Sequence, residues 1–216
     1  MQESLRRYVP GAVAEQLLRG SELASGEREV SVLFVDIRGY TSFSESRKAD
    51  EIFSTVNRYT ETVSQIVQKH AGSVVEFNGD GMMTVFGAPR DLAHKERAAV
   101  EAGREIVEAV AALTVDNAEG VSTKLSVGVG IATGEAFVGN IEAVDRMIWT
   151  AIGNTTNLAA RLQSLSRDLD AALVIDHPTW ERAQPAAADF EKRPEVPIRG
   201  RRETQDVYAL PLRSDS

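Results

Sequence analysis

The stretch that most constrains this chain is Val74–Gly87, VVEFNGDGMMTVFG. Apolar residues run into a turn made of Asn78, Gly79, Asp80 and Gly81, and apolar residues run out again. Asn-Gly and Asp-Gly steps suit the positive φ angles of a tight hairpin turn, and Val74, Val75, Phe77, Val85 and Phe86 favour strands. A hairpin is expected, with Asp80 at its tip. Taken alone, that aspartate reads as a solvated turn residue, because Asp is common in turns. A second stretch changes the reading. Ser31–Asp36, SVLFVD, is a nearly continuous apolar run that ends on an acid and opens into Ile37-Arg38-Gly39-Tyr40-Thr41. A buried strand of this kind delivers a carboxylate to its own C-terminal end. Asp36 and Asp80 then fall at the ends of neighbouring strands. Two carboxylates brought together suit Mg²⁺, a hard cation that takes oxygen ligands and substrate phosphates.

Composition narrows the other chemistries. The 216 residues include no cysteine, which removes thiolate catalysis and a disulfide framework and fits a reducing compartment. A formal net charge of −8 argues against a general nucleic-acid binder. A hydrophobic fraction of 43% in a chain of this length points to one folded domain with a sizeable core. No apolar run approaches the ~20 residues needed to span a bilayer, and the opening MQESLRRYVP lacks the apolar segment of a signal peptide. The expectation is a cytoplasmic protein without membrane insertion. His94 has no metal-ligand partner at useful spacing and reads as a surface residue at a helix start. Met82 and Met83 read as core, and Trp149 and Trp180 as core or interface.

Along the chain, Leu5, Tyr8, Val9, Val13 and Leu17 recur at helical spacing across Pro10-Gly11, and Gly20–Arg28 is a polar linker. Residues 1–28 are thus a helical lead-in and linker, 29–212 the folded domain, and 213–216 a tail. Val30–Asp36 is the first strand, and Ile37–Arg47 a loop whose backbone N–H groups can meet phosphate oxygens. Ala49–His70 and Lys95–Leu113 carry apolar residues at helical spacing. Asp116–Gly120 reads as a loop. In Lys124–Ala132 the pair Gly128 and Gly130 resembles a phosphate loop, but the continuous strand pattern argues for close packing. Thr133-Gly134-Glu135 is expected to turn the chain into Ala136–Ile141, with a polar tip at Glu142–Arg146 and a strand at Met147–Ile152. A helix follows Gly153-Asn154, with Asn157 and Arg161 on one face. Leu173–Asp176 is a strand, Pro178–Ala183 a short helix, and two short strands lie around Ile198–Arg202. The order β-α-β-β-α-β with a C-terminal αβ extension is an α+β, ferredoxin-like arrangement. It predicts a mixed sheet with helices on one face.

Three segments together resemble the catalytic domain of class III nucleotide cyclases. FVDIRGYT at 34–41 is similar to that family's F-x-D-I-x-G-F-T signature, NGDGMMTVFG at 78–87 to its Gly-Asp hairpin, and TAIGNTTNLAARL at 150–162 to its helix motif with N-x-x-x-R. The segments occur in family order, and the resemblance covers about residues 29–210. It implies conversion of a nucleoside triphosphate to the 3′,5′-cyclic monophosphate and pyrophosphate, on two divalent metal ions, Mg²⁺ or Mn²⁺. It also implies metal ligands at Asp36 and Asp80 and the Ile37 carbonyl. Asn157 and Arg161 take the ribose-orienting and transition-state roles. Gly39 and Thr41, together with Arg199 and Arg201 in the I-R-G-R-R segment, bind phosphates. The family's sites are shared between two subunits, so a homodimer is implied, and its lead-in often joins an upstream sensor or regulator.

The base-reading positions depart from the family pattern. Adenylate-forming members usually carry Lys four residues before the second metal Asp; here that residue is Glu76, an acceptor like the Glu of guanylate-forming members. The partner position, seven before Asn157, is Thr150, as in many bacterial adenylate-forming members. Tyr40 replaces the usual Phe and narrows the space for a base. Family frequency favours ATP, and the alternatives are GTP or a pyrimidine triphosphate. A different class of reading is a catalytically silent, cyclase-like domain used for dimerisation or sensing; the intact Asp36, Asp80, Asn157 and Arg161 oppose it.

Overall fold

A computed structural model describes Val13 and residues 25–45, 47–116, 122–143 and 146–212. Of the proposed lead-in, residues 1–12 and 14–24 lie outside the described residues, as does the tail. The chain runs β1 (Gly26–Ile37), α1 (Tyr40–Glu45), α2 (Ala49–Lys69), β2 (Ser73–Asn78), β3 (Gly81–Phe86), α3 (Lys95–Ala111), β4 (Thr114–Asp116), β5 (Ser122–Lys124), β6 (Val127–Ala143), β7 (Arg146–Ile152), α4 (Asn154–Asp168), β8 (Ala171–Asp176), α5 (His177–Arg182), β9 (Glu191–Val196) and β10 (Gln205–Pro211). Eight strands form one mixed sheet in the order β2-β3-β1-β6-β8-β10-β9, with β7 on the far half of β6. Among the described residues, only β6 and β8 pair in parallel. The β4–β5 pair stands apart.

Strand alternation sends β1 side chains to two cores. Leu33, Val35 and Ile37 meet Tyr59, Val63 and Val67 of α2 and Ile106 of α3. Val30 and Val32 join Leu158, Ala159 and Leu162 of α4 on the opposite side, where Val13 of the lead-in is also buried. The sheet is therefore covered on both faces, not one. The reason is local to β6. A β-carbon at Gly130 would lie 2.1 Å from the Gln163 backbone N and 2.4 Å from the Ala159 O. Two side-chain-free positions, Gly128 and Gly130, thus let α4 lie directly on the strand, as close packing required.

Other expectations shift at their boundaries. β1 begins at Gly26 rather than Val30, because Gly26–Glu29 find partners at Glu135–Val138. Thr133-Gly134-Glu135 does not turn; it pairs with Ser31, Val30 and Glu29, and β6 continues unbroken. The loop after Ile37 contains α1, opened by Gly39 (φ +67°), whose carbonyl accepts from Phe43 N at 3.0 Å. Thr114–Asp116 is a strand paired with Ser122–Lys124. The I-R-G-R-R segment is the turn between β9 and β10, closed by Arg201 N donating to Ile198 O at 2.9 Å, with Gly200 at φ +75°. Among the described residues no helix is long and apolar enough to cross a membrane.

Candidate active site

Antiparallel pairing of β1 with β3 sets Asp36 opposite Gly81, beside the turn that holds Asp80. The two carboxylates interact strongly. Burial first, then the closeness of the Asp80 carboxylate, which favours a shared proton, and its negative charge push Asp36 up to about 7. Oδ1 of Asp36 is buried and makes no hydrogen bond. Tyr59 on α2, whose hydroxyl is likewise buried and unpartnered, lies within the field of both acids. Its titration is pushed well above the usual tyrosine range, by burial before charge. Ile37 is buried beside Asp36, and its main chain leads into Gly39 and the exposed Thr41. A cleft of about 220 Å³ opens between the end of β1 and the last turns of α4, lined by Asp36, Ile37, Arg38, Gln163, Ser166 and Arg167.

These donors fit a hard cation: two acids, one of them with an orphaned buried oxygen, and a main-chain carbonyl in the residue after Asp36. Among the described residues no group of three or more His, Cys, Asp or Glu is arranged to hold a metal ion by itself. A cation here would therefore draw its remaining oxygens from the Ile37 carbonyl and a phosphate substrate.

A second group of expected residues assembles elsewhere. Asn157 is exposed in the first turns of α4, and Arg161 is half-buried one turn later. A β-carbon at Gly200 would lie 3.1 Å from Nη2 of Arg161, so that guanidinium rests on the turn bearing the exposed Arg199 and half-buried Arg201. Asp36 instead feels Arg167, near the other end of α4. Asn157 precedes Arg167 by nearly three helical turns, roughly 15 Å along the axis at about 1.5 Å per residue. Within one chain the carboxylates thus lie at the C-terminal end of α4, with Asn157 in its first turns and Arg161 at its middle.

Glu76 is exposed on β2, opposite Met83 and just past a bulge, and Thr150 is half-buried on β7 opposite Gly139. β2 and β7 touch, so the strands carrying these two residues meet. Tyr40 turns toward the core around α2 and stacks on Phe43 with ring centroids 6.4 Å apart. His94 is exposed at the start of α3, as expected. Sequence reasoning missed Arg38, Tyr59 and Arg167. Arg38 had a weak signal in a long basic side chain directly behind the carboxylate strand. Tyr59 and Arg167 had none, since both read as ordinary helix positions.

Residues 24–211 match the adenylate and guanylate cyclase catalytic domain. An uncharacterized protein of Mycobacterium tuberculosis is 35% identical over 75% of this chain and 27% of its own length. Adenylate cyclase 1 of Rhizobium meliloti is 26% identical over 94% of this chain and 31% of its own length. The chain thus spans about a third or less of the curated relatives it matches. Among solved structures, the adenylyl cyclase CyaB from P. aeruginosa superposes with a TM-score of 0.76 at 28% identity, covering 89% of this chain and 98% of that one. A bacterial light-regulated adenylyl cyclase shares the fold with a TM-score of 0.82, at 23% identity over 96% of this chain and 60% of that one. Matched along nearly its whole length, this chain belongs to the adenylate and guanylate cyclase catalytic domain family.

Proposed function

We propose that this domain is a nucleotidyl cyclase with ATP as its substrate, working as a homodimer with shared sites. The observation that carries the reading is the Asp36–Asp80 pair with its orphaned buried oxygen, set at the Arg167 end of α4, with Asn157 ten residues and Arg161 six residues earlier on that helix. The ribose 3′-oxygen attacks the α-phosphorus of the same nucleotide and loses its proton. The bond from that phosphorus to the α,β-bridging oxygen breaks, and pyrophosphate leaves. Such a reaction asks the protein for positioning and charge neutralisation rather than covalent chemistry. Divalent ions held by Asp36, Asp80 and the Ile37 carbonyl would supply activation of the hydroxyl and neutralisation of the leaving oxygen.

Asn157 orients the ribose, and Arg161 offers fixed charge and paired donors to the α-phosphate as charge builds there. Arg199 and Arg201 hold the terminal phosphates, beside Gly39 and Thr41. In this reading Asn157 and Arg161 act on the carboxylate site of a second copy, and the second copy's pair acts on this one. The surface supports such a copy. Phe77, Phe137, Ile141 and Ile152 are large, apolar and exposed, and Phe137 and Ile152 are direct cross-strand partners.

The Rhizobium relative and the P. aeruginosa structure, both named for adenylate cyclases, favour ATP. One observation favours a second substrate: Glu76 is an exposed acceptor, which suits the N–H groups of guanine or uracil better than adenine N1. The test offers ATP, GTP, CTP and UTP separately with Mg²⁺ or Mn²⁺ and identifies the products. Cyclic AMP in excess supports the reading. Cyclic GMP or cyclic UMP in excess transfers it to the second substrate, and no cyclic product from any of the four overturns it.

A further inference from the structure

Arg38 follows the two residues proposed to hold the cation, yet its side chain runs away from them into the protein. Its Nε donates to Val127 O at 3.0 Å. Its Nη2 donates to Ser166 O and to Ser166 Oγ, both at 3.3 Å, and also to Ala171 O. Its backbone N donates to Ser126 O at 2.8 Å. One half-buried guanidinium therefore joins the end of β1 to the start of β6, the last turn of α4 and the start of β8. The Ser166 carbonyl is among the last four of α4, which have no partner inside the helix. Arg38 satisfies it and in doing so fastens α4 to the peptide that follows Ile37.

We propose that Arg38 is the positioning residue of the cation site: its clamp fixes the Ile37–Arg38 peptide, so that the Ile37 carbonyl and the Asp36 carboxylate keep their directions before a cation arrives. This rests on reading Asp36, Ile37 and Asp80 as the cation site. The chemistry selects arginine. A planar fork reaches Val127 O on one edge and the α4 and β8 carbonyls on the other, whereas the point-like ammonium of lysine cannot span both. Residues that orient metal ligands typically change metal affinity when lost, and leaving the ligands themselves in place separates this effect from loss of the site. The same clamp ties the end of β1 to the last turn of α4, the helix that presents Asn157 and Arg161, so it also sets the spacing between the two groups within one chain.

The experiment titrates Mn²⁺ alone into the protein and follows the free-ion electron paramagnetic resonance signal. Wild type is compared with Arg38→Lys, Arg38→Gln, Asp36→Asn and Arg104→Gln. Arg104 is a comparable clamp on α3, donating from Nε to Ala186 O at 3.0 Å, on the sheet face opposite α4. The expected result is a Mn²⁺ dissociation constant raised roughly 10–100-fold in both Arg38 variants, no change in Arg104→Gln, and loss of binding in Asp36→Asn. Arg38→Lys keeps the positive charge and the stem, so it guards against a glutamine variant that does not fold. Wild-type Mn²⁺ affinity in a folded Arg38 variant, with binding lost in Asp36→Asn, overturns the positioning role and leaves the cation site standing. An equal weakening in Arg104→Gln overturns it too, because the effect is then general loosening of the fold. Unchanged binding in Asp36→Asn removes the cation site and the inference with it.

Discussion

Asp36 and Asp176 are both carboxylates at strand ends, and burial pushes both up, to about 7 and about 6. Their surroundings differ. Asp176 caps α5 and accepts from Thr179 N at 3.1 Å, from the Thr179 hydroxyl and from Thr133 N at 3.2 Å. Thr133 and Thr179 are hydrogen-bonded to each other, and Thr133 also to Ser31, so a closed polar network lies inside the sheet. Those bonds hold Asp176 down against its burial. Asp36 has instead a like-charged neighbour and an oxygen with no partner. A buried acid that is fully satisfied is part of the architecture, whereas one left unsatisfied beside another acid awaits a ligand. Asp176 is buried and Asp36 half-buried, and the chemical difference between them is partnership.

The largest expected effects test this contrast directly. Asp36→Ala and Asp80→Ala should each abolish cyclase activity while circular dichroism and melting stay close to wild type. Asp176→Ala should do the reverse. It strands donors of Thr133 and Thr179, so urea unfolding should report a loss of about 1–3 kcal/mol, with activity per folded molecule retained. A folded, fully active Asp36→Ala, or an Asp176→Ala as stable as wild type, breaks the comparison.

Mixing sharpens the functional side. Arg161→Ala should lower turnover about 10²–10³-fold, the usual cost of losing one transition-state donor. Combining Asp36→Ala chains with Arg161→Ala chains should restore part of the activity, because one site of the mixed dimer carries neither defect. If chains shown by mass spectrometry to exchange remain inactive, the carboxylates and Arg161 do not meet across a dimer.

A third carboxylate, Glu76, is exposed and belongs to neither class. If it reads the base, Glu76→Lys exchanges an acceptor for a donor. The ratio of ATP to GTP and UTP turnover should then rise roughly 5–150-fold, the equivalent of about 1–3 kcal/mol. An unchanged ratio assigns Glu76 to the solvated surface.

The smallest effect is on stability against pH. A carboxyl group raised in the folded state stabilises the fold while protonated. For both aspartates that contribution is complete below the ordinary 3.8 and is lost as pH rises, through about 6 for Asp176 and about 7 for Asp36. Glu29 and Glu105 are lowered by their cationic partners and lose their contribution only as pH falls through values below 4.5, outside this window. Metal-free protein should therefore melt at lower temperature as pH rises from 5 to 8. Asp36→Asn should flatten the upper part of that slope and Asp176→Asn the lower part, in scanning calorimetry. A slope identical in all three proteins means that neither aspartate controls it.

What the sequence by itself determined is local. The Asn-Gly-Asp-Gly turn, the apolar run ending on Asp36, the helical spacing of α2, α3 and α4 and the small residues at 128 and 130 are each readable within a few positions. Turn chemistry and side-chain periodicity act between near neighbours. They were enough to set Asp36 beside Asp80 and to put Asn157 and Arg161 on one helix face. The tertiary structure decided what depends on distant partners. β6 runs straight through Thr133–Glu135 because β1 pairs with it, and α4 covers the second face because Gly128 and Gly130 leave space there. Arg38 meets Val127, Ser166 and Ala171 across separations that no spacing rule reaches. Asp176 looked like any strand-ending acid until Thr133 and Thr179 were seen to close around it. Hydrogen-bond satisfaction in a core is a property of elements brought together from far apart in the chain. For that reason the structural role of Asp176 became visible only once the fold had placed its neighbours.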